Sequence, residues 1–75
     1  MNKVNKTNYI DYIMDYEQGE LTDLKTLDLF SFLIKDKICW NLQGHYGRTA
    51  KNLIDEGWIS PKGFINEELR ETHQL

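Results

Sequence analysis

The chain has 75 residues, of which 9 are basic, 12 are acidic and one is a cysteine, and its formal net charge is −3. This length allows one small domain, and a single cysteine excludes both an intrachain disulfide and a zinc site built on paired cysteines. The net acidity argues against a general nucleic-acid coat, which needs a broad basic face. No apolar run approaches the roughly 20 residues of a membrane-spanning helix, so we expect a cytoplasmic protein with no signal peptide and no membrane contact.

The first two predicted elements are amphipathic helices. After the N-capping residue Asn8, apolar and aromatic residues recur at spacings of three and four, which predicts a helix to about Gln18 that Gly19 ends. A second helix is predicted from its cap at Thr22 to about Lys35. Its apolar positions are numerous enough to indicate burial on more than one side.

The middle of the chain contains two closely spaced glycines. A short third helical segment is predicted from Ile38 to Gln43, ending at Gly44. Because each glycine weakens a helix by roughly 1 kcal/mol, the two residues between Gly44 and Gly47 are placed in a turn. The next helix is predicted to begin near Tyr46 to Arg48 and to end at Gly57.

The C-terminal part of the chain begins with a predicted reversal. Two apolar pairs, at 58–59 and 64–65, flank the link Ser60-Pro61-Lys62-Gly63, whose proline and glycine favour a tight turn, so a small β-hairpin is predicted there. Asn66 is a suitable cap for a last helical stretch from Glu67 to Glu71.

Together these patterns predict a mainly all-α fold, a compact bundle of three to four short helices with a small C-terminal β-hairpin. It forms one domain over residues 1–75, with flexible ends at 1–7 and 72–75. Aromatic residues make up 12% of the chain, which is more than a small core easily hides. Since aromatic residues are favoured at the centres of interfaces, we expect a homodimer or higher homo-oligomer, the alternative being one compact core that holds them all.

The strongest functional signal is a local excess of positive charge. The region from Lys37 to Ile54 contains three basic residues and no acidic residue, whereas the other 57 residues contain 6 bases and 12 acids. Glycines let a ligand approach the backbone, free amides at a helix start attract an anion, and a guanidinium can fork onto phosphate or carboxylate oxygens. The predicted ligand contacts are Trp40, Gln43, Gly44, His45, Tyr46, Gly47, Arg48, Thr49 and Lys51.

Each of these residues also has a purely structural interpretation. The glycines can permit close helix crossing, Arg48 can pair with an acid of a neighbouring helix, and Trp40 can belong to the core. For Trp40 we favour a position in the core. For Arg48 the structural interpretation and ligand contact are equally supported. For His45 and Tyr46 we favour ligand contact, because short loops between glycines bury little.

Catalysis and metal binding have weak support. Cys39 and His45 are six residues apart across a helix end, which gives no reason for them to meet as nucleophile and base, and a lone helical cysteine is more often a small buried hydrophobe. A metal site needs more ligands than His45 and the distant His73. We therefore expect neither an enzyme nor a protein with a cofactor or a bound metal.

Two alternative functions rank below ligand binding. The first is a helix-turn-helix DNA-binding regulator over Ile38 to Ile59, with Arg48 on the recognition helix and Trp58 to Phe64 as a wing. It ranks second because two acids share that helix and few bases flank it. The second is an inhibitor that attracts a basic host protein to the acidic face of the first helix, which is more simply a solvated face. The acids concerned are Asp11, Asp15, Glu17 and Glu20.

The run Trp-x-Leu-Gln-Gly-His-Tyr-Gly-Arg-Thr-Ala from Trp40 to Ala50, followed by Leu53-Ile54 and Gly57, resembles a family of very small proteins of no assigned activity that tailed bacteriophages encode. The similarity extends upstream to Tyr9–Leu21 and so covers most of the chain. It implies a phage origin and no particular mechanism. Small phage proteins without catalytic apparatus commonly act by binding. Our leading hypothesis is therefore a counter-defence protein of the infected cell that sequesters a phosphorylated nucleotide or similar anionic host signal through the His45 to Thr49 turn, near a dimer interface.

Overall fold

The computed structural model describes residues 4–42 and 44–72. Within them the chain is mainly helical and forms no strand, which confirms the predicted all-α class. A one-turn 3₁₀ helix, Cys39–Asn41, lies between the second and third α-helices where a longer segment from Ile38 to Gln43 was predicted. The α-helices in this part of the chain are α1 (Tyr9–Glu17), α2 (Asp23–Lys35), α3 (Gly44–Asp55) and α4 (Glu67–Thr72). None of these helices has the length and apolarity needed to cross a membrane.

Local signals place α1 and α2 where the sequence predicted them. The Thr22 hydroxyl accepts a 3.2 Å hydrogen bond from the amide of Lys25, as expected of an N-cap. Gly19 follows α1 with a φ of 76°, a left-handed conformation that glycine adopts without the steric cost of a side chain. Thr22 therefore fixes the start of α2 and Gly19 the end of α1. Asn8 does stand at the N-cap of α1, but its side chain makes no capping hydrogen bond and accepts one from the Asn5 amide, at 2.8 Å, so the predicted capping by Asn8 is wrong.

The core is built around α2. Leu29, Phe30 and Leu33 of this helix are fully buried, whereas α1 contributes no fully buried residue. Tyrosine side chains of α1 pack against α2 instead. The ring centroid of Tyr16 lies 5.5 Å from that of Phe30 in an edge-on contact. Cys39 is also buried, which confirms its prediction as a small hydrophobic residue.

The predicted turn between the two central glycines is wrong, because α3 already begins at Gly44. The reason is the burial of Tyr46, whose ring centroid lies 5.6 Å from that of Tyr16 and 6.0 Å from that of Phe30. Gly44 stands at the helix start, outside the helix interior where glycine is costly, so the penalty is roughly 1 kcal/mol for Gly47, and burying a large side chain contributes about 1.5–3 kcal/mol. Tertiary packing therefore overrides local helix propensity here.

The predicted C-terminal hairpin is also wrong, although the chain does reverse there. Ile59 and Ile65 form a single antiparallel bridge, and this segment contains no strand. The backbone docks on α2 instead, because the Ser31 hydroxyl donates a hydrogen bond to the Gly63 carbonyl. Asn66 then caps α4 as predicted. Its side-chain oxygen accepts hydrogen bonds from the amides of Glu68 and Leu69, at 3.1 and 3.3 Å.

The predicted flexible ends fall partly outside the described residues. Inside them, residues 5–8 form a turn in which the Tyr9 amide donates a 2.9 Å hydrogen bond to the Asn5 carbonyl. This turn leads directly into α1.

Candidate functional site

The predicted contacts Trp40, Gly44, Gly47 and Arg48 meet at one surface, which we call the α3 N-terminal surface. Trp40 lies just before α3 and is 51% exposed, so the favoured assignment of this residue to the core is wrong. Gln43, another predicted contact, lies outside the described residues. The surface thus combines an exposed indole, the first turn of a twelve-residue helix and an arginine.

The indole of Trp40 rests against the backbone of α3. A Cβ atom placed on Gly47 would lie 3.6 Å from Cε3 and 3.8 Å from Cζ3 of that indole, both ordinary contact distances. Gly47 therefore lies directly beneath the ring. The ring is supported on one side by the helix, and about half of the residue remains open to solvent.

Arg48 is exposed and turns back toward the helix start. Its Nη1 atom lies 3.6 Å from the position that a Cβ atom would have on Gly44. The ion pairs found within the described residues do not include Arg48, so the proposed structural pairing with a neighbouring acid has no support there. The guanidinium is therefore placed beside the first-turn amides of α3, where it can reach an anion bound to them.

Lys51 lies one turn further along α3 and is already paired. Its ammonium is 3.1 Å from a carboxylate oxygen of Asp55, four residues later, and both side chains are largely exposed. Exposed pairs of this spacing contribute only about 0.3–0.5 kcal/mol. Lys51 can therefore exchange this partner for a ligand at small cost.

Tyr46 is a core residue with a single polar attachment. Its hydroxyl donates a 2.7 Å hydrogen bond to the Glu17 carboxylate, and burial, followed by this hydrogen bond, raises the pKa of the phenol well above its usual range. The side chain is only 2% exposed, so it offers no surface to a ligand. Tyr46, Ala50 and Leu53 follow helical spacing, and this pattern could have indicated that Tyr46 belongs to the inner face.

His45 and Thr49 are both half-buried members of α3. The ring centroid of His45 lies 4.2 Å from that of Tyr46, so the imidazole packs at the edge of the core. Among the residues that the structure describes, no group of three His, Cys, Asp or Glu side chains is placed to hold a metal ion.

Trp40, Gly44 and Arg48 of the α3 N-terminal surface are all exposed. Two cavities, of about 210 and 750 Å³, lie elsewhere in the described part of the molecule. The larger is a groove along the outer face of α2 that sequence reasoning missed. The sequence feature that could have indicated this groove is the helical spacing of Lys25, Phe32 and Lys35, which places all three on one face of α2.

Electrostatics favour an anion at the α3 N-terminal surface. The first turn of α3 contains no acidic residue of its own, so the positive end of the helix dipole favours an anion there, and Glu17, the acid shown nearby, is engaged by the Tyr46 hydroxyl. A flat ring, a guanidinium and first-turn amides together can hold a ring-bearing phosphorylated molecule by stacking and charge-assisted hydrogen bonds.

Comparison with curated proteins and with solved structures finds no significant match to this chain. A family model described as "Domain of unknown function (DUF7417)" matches residues 1–73, which is nearly the whole length. This match spans every described helix and the α3 N-terminal surface. The chain therefore belongs to the DUF7417 family.

Proposed function

We propose that the chain is a small binding protein that holds a phosphorylated nucleotide, or a similar anionic molecule with a flat ring, on the α3 N-terminal surface. The observation that supports this most directly is the half-exposed indole of Trp40 against Gly47, with the Arg48 guanidinium next to Gly44 one turn earlier on the same helix. Stacking of a base on an aromatic side chain contributes about 1–3 kcal/mol. The first-turn amides and Arg48 then bind the phosphate.

The charge distribution supports an anionic ligand over a neutral one. The region from Lys37 to Ile54 carries a charge of +3 in a chain whose net charge is −3. A local positive patch on an acidic protein concentrates anions at that patch alone. Lys51, held only by an exposed pair with Asp55, adds a second cation for a polyphosphate or a cyclic dinucleotide.

The biological setting that we propose is counter-defence in the cytoplasm of an infected bacterium. The resemblance of the Trp40 to Ala50 run to proteins of tailed bacteriophages supports this setting. A signal nucleotide is neutralised when it is held, so sequestration needs a binding surface and no chemical step. The open position of the α3 N-terminal surface fits reversible capture.

Thermal melting with a panel of linear and cyclic nucleotides tests the proposal. A ligand at 100 times its dissociation constant adds about 2.7 kcal/mol of stability, and each kcal/mol raises the Tm of a domain this small by roughly 4–8 °C. We expect at least one nucleotide to raise the Tm of the wild type but not that of Arg48→Ala. Lys62→Ala, which removes an exposed lysine outside α3, is the matched control and should respond like the wild type.

The competing functions give different results in parallel experiments. DNA binding predicts retardation of duplex DNA that weakens steeply with salt. The helix-turn-helix hypothesis needs a first helix that begins near Ile38. The chain between α2 and Gly44 forms only the 3₁₀ turn Cys39–Asn41 in the described residues, so the structure supports DNA binding less than nucleotide binding. Inhibition of a host protein predicts that the double variant Asp11→Lys, Asp15→Lys releases a captured partner. Absence of any nucleotide response, or an equal response in Arg48→Ala, would refute the proposed function.

A further inference from the structure

A groove of about 750 Å³ runs along the outer face of α2. It lies between that helix and the chain from Phe64 to Arg70. The groove, which we call the α2 groove, has an apolar part made by Leu24, Phe32, Phe64 and Ile65 and carries Lys25 and Lys35. The exposed fraction of Phe64 reaches 62%, so a large apolar surface is open to solvent here.

The α2 groove contains both charges that form ion pairs and lysines outside the described ion pairs. Arg70 is held by two acids of the groove, at 3.1 Å from Asp28 and 4.0 Å from Glu67. The described ion pairs include neither Lys25 nor Lys35. These two lysines are ten residues apart on one helix, about 15 Å along its axis. The α2 groove thus suits an elongated occupant that is apolar along its middle and acidic at its edges.

The outer face of α1 has the complementary properties. Ile10 and Met14 are 51% and 53% exposed and lie four residues apart, so they form one apolar stripe on the helix surface. Asp11 and Asp15 form the neighbouring row. The segment from 7 to 22 contains four acidic residues and no basic residue. This face is therefore an apolar stripe with an acidic border.

We propose that the outer face of α1 in one copy of the chain docks into the α2 groove of a second copy. The apolar stripe covers the exposed apolar side chains of the groove, and the acidic border faces Lys25 and Lys35. Two copies with net charges of −3 repel each other, and a contact that opposes acids to bases offsets this repulsion.

This contact joins two different surfaces, and each copy carries both. Reciprocal docking of two copies closes a dimer, whereas one-way docking continues into a longer assembly. In either case the ends of the contact are charged and exposed, so association weakens as salt screens the pairs. The inference does not depend on the proposed function, because it uses neither Trp40 nor Arg48.

Sedimentation velocity at low and high salt tests the contact. We expect a concentration-dependent mass above the 8.9 kDa of one chain at low salt. The double variants Lys25→Glu, Lys35→Glu and Asp11→Lys, Asp15→Lys should each associate about tenfold more weakly or worse, since like charges then face each other. Lys37→Glu, Lys62→Glu has the same net charge as the first variant, changes two exposed lysines outside the groove, and should associate like the wild type.

Mixing the groove variant (Lys25→Glu, Lys35→Glu) with the α1 variant (Asp11→Lys, Asp15→Lys) distinguishes the proposed contact from a general effect of net charge. In an equimolar mixture of the groove variant and the α1 variant, acids face bases in both docking directions between unlike copies, so we expect it to associate more strongly than either variant alone. Circular dichroism establishes that each variant is folded before it is compared. A wild type that stays monomeric at every concentration, a control that loses association as much as the groove variant, or a mixture that fails to associate would overturn the proposal.

Discussion

The hydroxyl of Tyr46 donates a 2.7 Å hydrogen bond to the carboxylate of Glu17, and this bond joins the first turn of α3 to the last residue of α1. The tyrosine is buried and the glutamate is exposed, so the bond ties a core ring to a surface acid. It holds the start of α3 in place. The position of the α3 N-terminal surface thus depends on a contact with α1.

Removing only the hydroxyl should weaken the fold moderately. Hydrogen bonds to charged groups contribute about 1.5–3 kcal/mol, but Glu17 is exposed and regains water, so we expect Tyr46→Phe to lower the free energy of unfolding by about 1 kcal/mol. Urea denaturation measures this change. Glu17→Gln keeps an acceptor and should cost less. A Tyr46→Phe variant as stable as the wild type would show that the bond contributes nothing.

The same phenol makes stability depend on alkaline pH. Burial raises the pKa of Tyr46 in the folded state above the ordinary value of about 10, so the folded protein keeps a proton that the unfolded chain loses. The contribution is complete below pH of about 10 and is lost as pH rises above it. We expect the free energy of unfolding to fall more steeply above that pH in the wild type than in Tyr46→Phe, as measured by urea denaturation across the alkaline range. Equal slopes would contradict the assignment.

Gly47 should accept a methyl group. A Cβ atom there would lie 3.6 Å from the indole of Trp40, an ordinary contact, and alanine favours a helix by up to about 1 kcal/mol over glycine. We therefore expect Gly47→Ala to raise the free energy of unfolding by as much as that amount. Thermal and urea denaturation measure it, and a clear loss of stability would contradict the described packing of the indole.

Gly63 should not accept a methyl group. A Cβ atom there would lie 2.9 Å from both the Lys35 amide nitrogen and the Ser31 carbonyl oxygen, which are backbone atoms of α2, and the φ of 96° adds strain. We expect Gly63→Ala to cost about 3 kcal/mol or more in the free energy of unfolding. Gly19→Ala is the matched control, because its φ is also positive, at 76°, but no atom lies within 4 Å, so only about 1–2 kcal/mol should be lost.

The parts of the fold that the sequence predicted correctly are those with local causes. Thr22 and Asn66 cap the helices that follow them, and Gly19 ends the helix before it, with no help from distant residues. The C-terminal hairpin failed for the opposite reason. Ile59 and Ile65 form a single bridge, and Gly63 between them docks against Ser31, a contact between residues 32 positions apart that local patterns do not reveal.

The candidate site was located by its charge but misjudged in its packing. The lack of acids around Arg48 could be read from the sequence, and the structure places Trp40 against Gly47 and the Arg48 guanidinium next to Gly44. Trp40 was ranked above Tyr46 for burial because Tyr46 was placed in a turn, although the helical spacing of Tyr46, Ala50 and Leu53 indicates an inner position. The structure buries Tyr46 because Phe30 lies within reach of its ring, and Trp40 stays outside.

The most direct measurement is a titration of the ¹⁵N-labelled protein with nucleotides, followed by two-dimensional NMR. If the α3 N-terminal surface binds a ring-bearing phosphorylated ligand, the largest shifts should appear at the amides of Gly44 and Gly47 and at the indole N–H of Trp40, and Arg48→Ala should abolish them. No shift with any nucleotide, or shifts confined to α2 groove residues such as Lys25 and Lys35, would contradict the account.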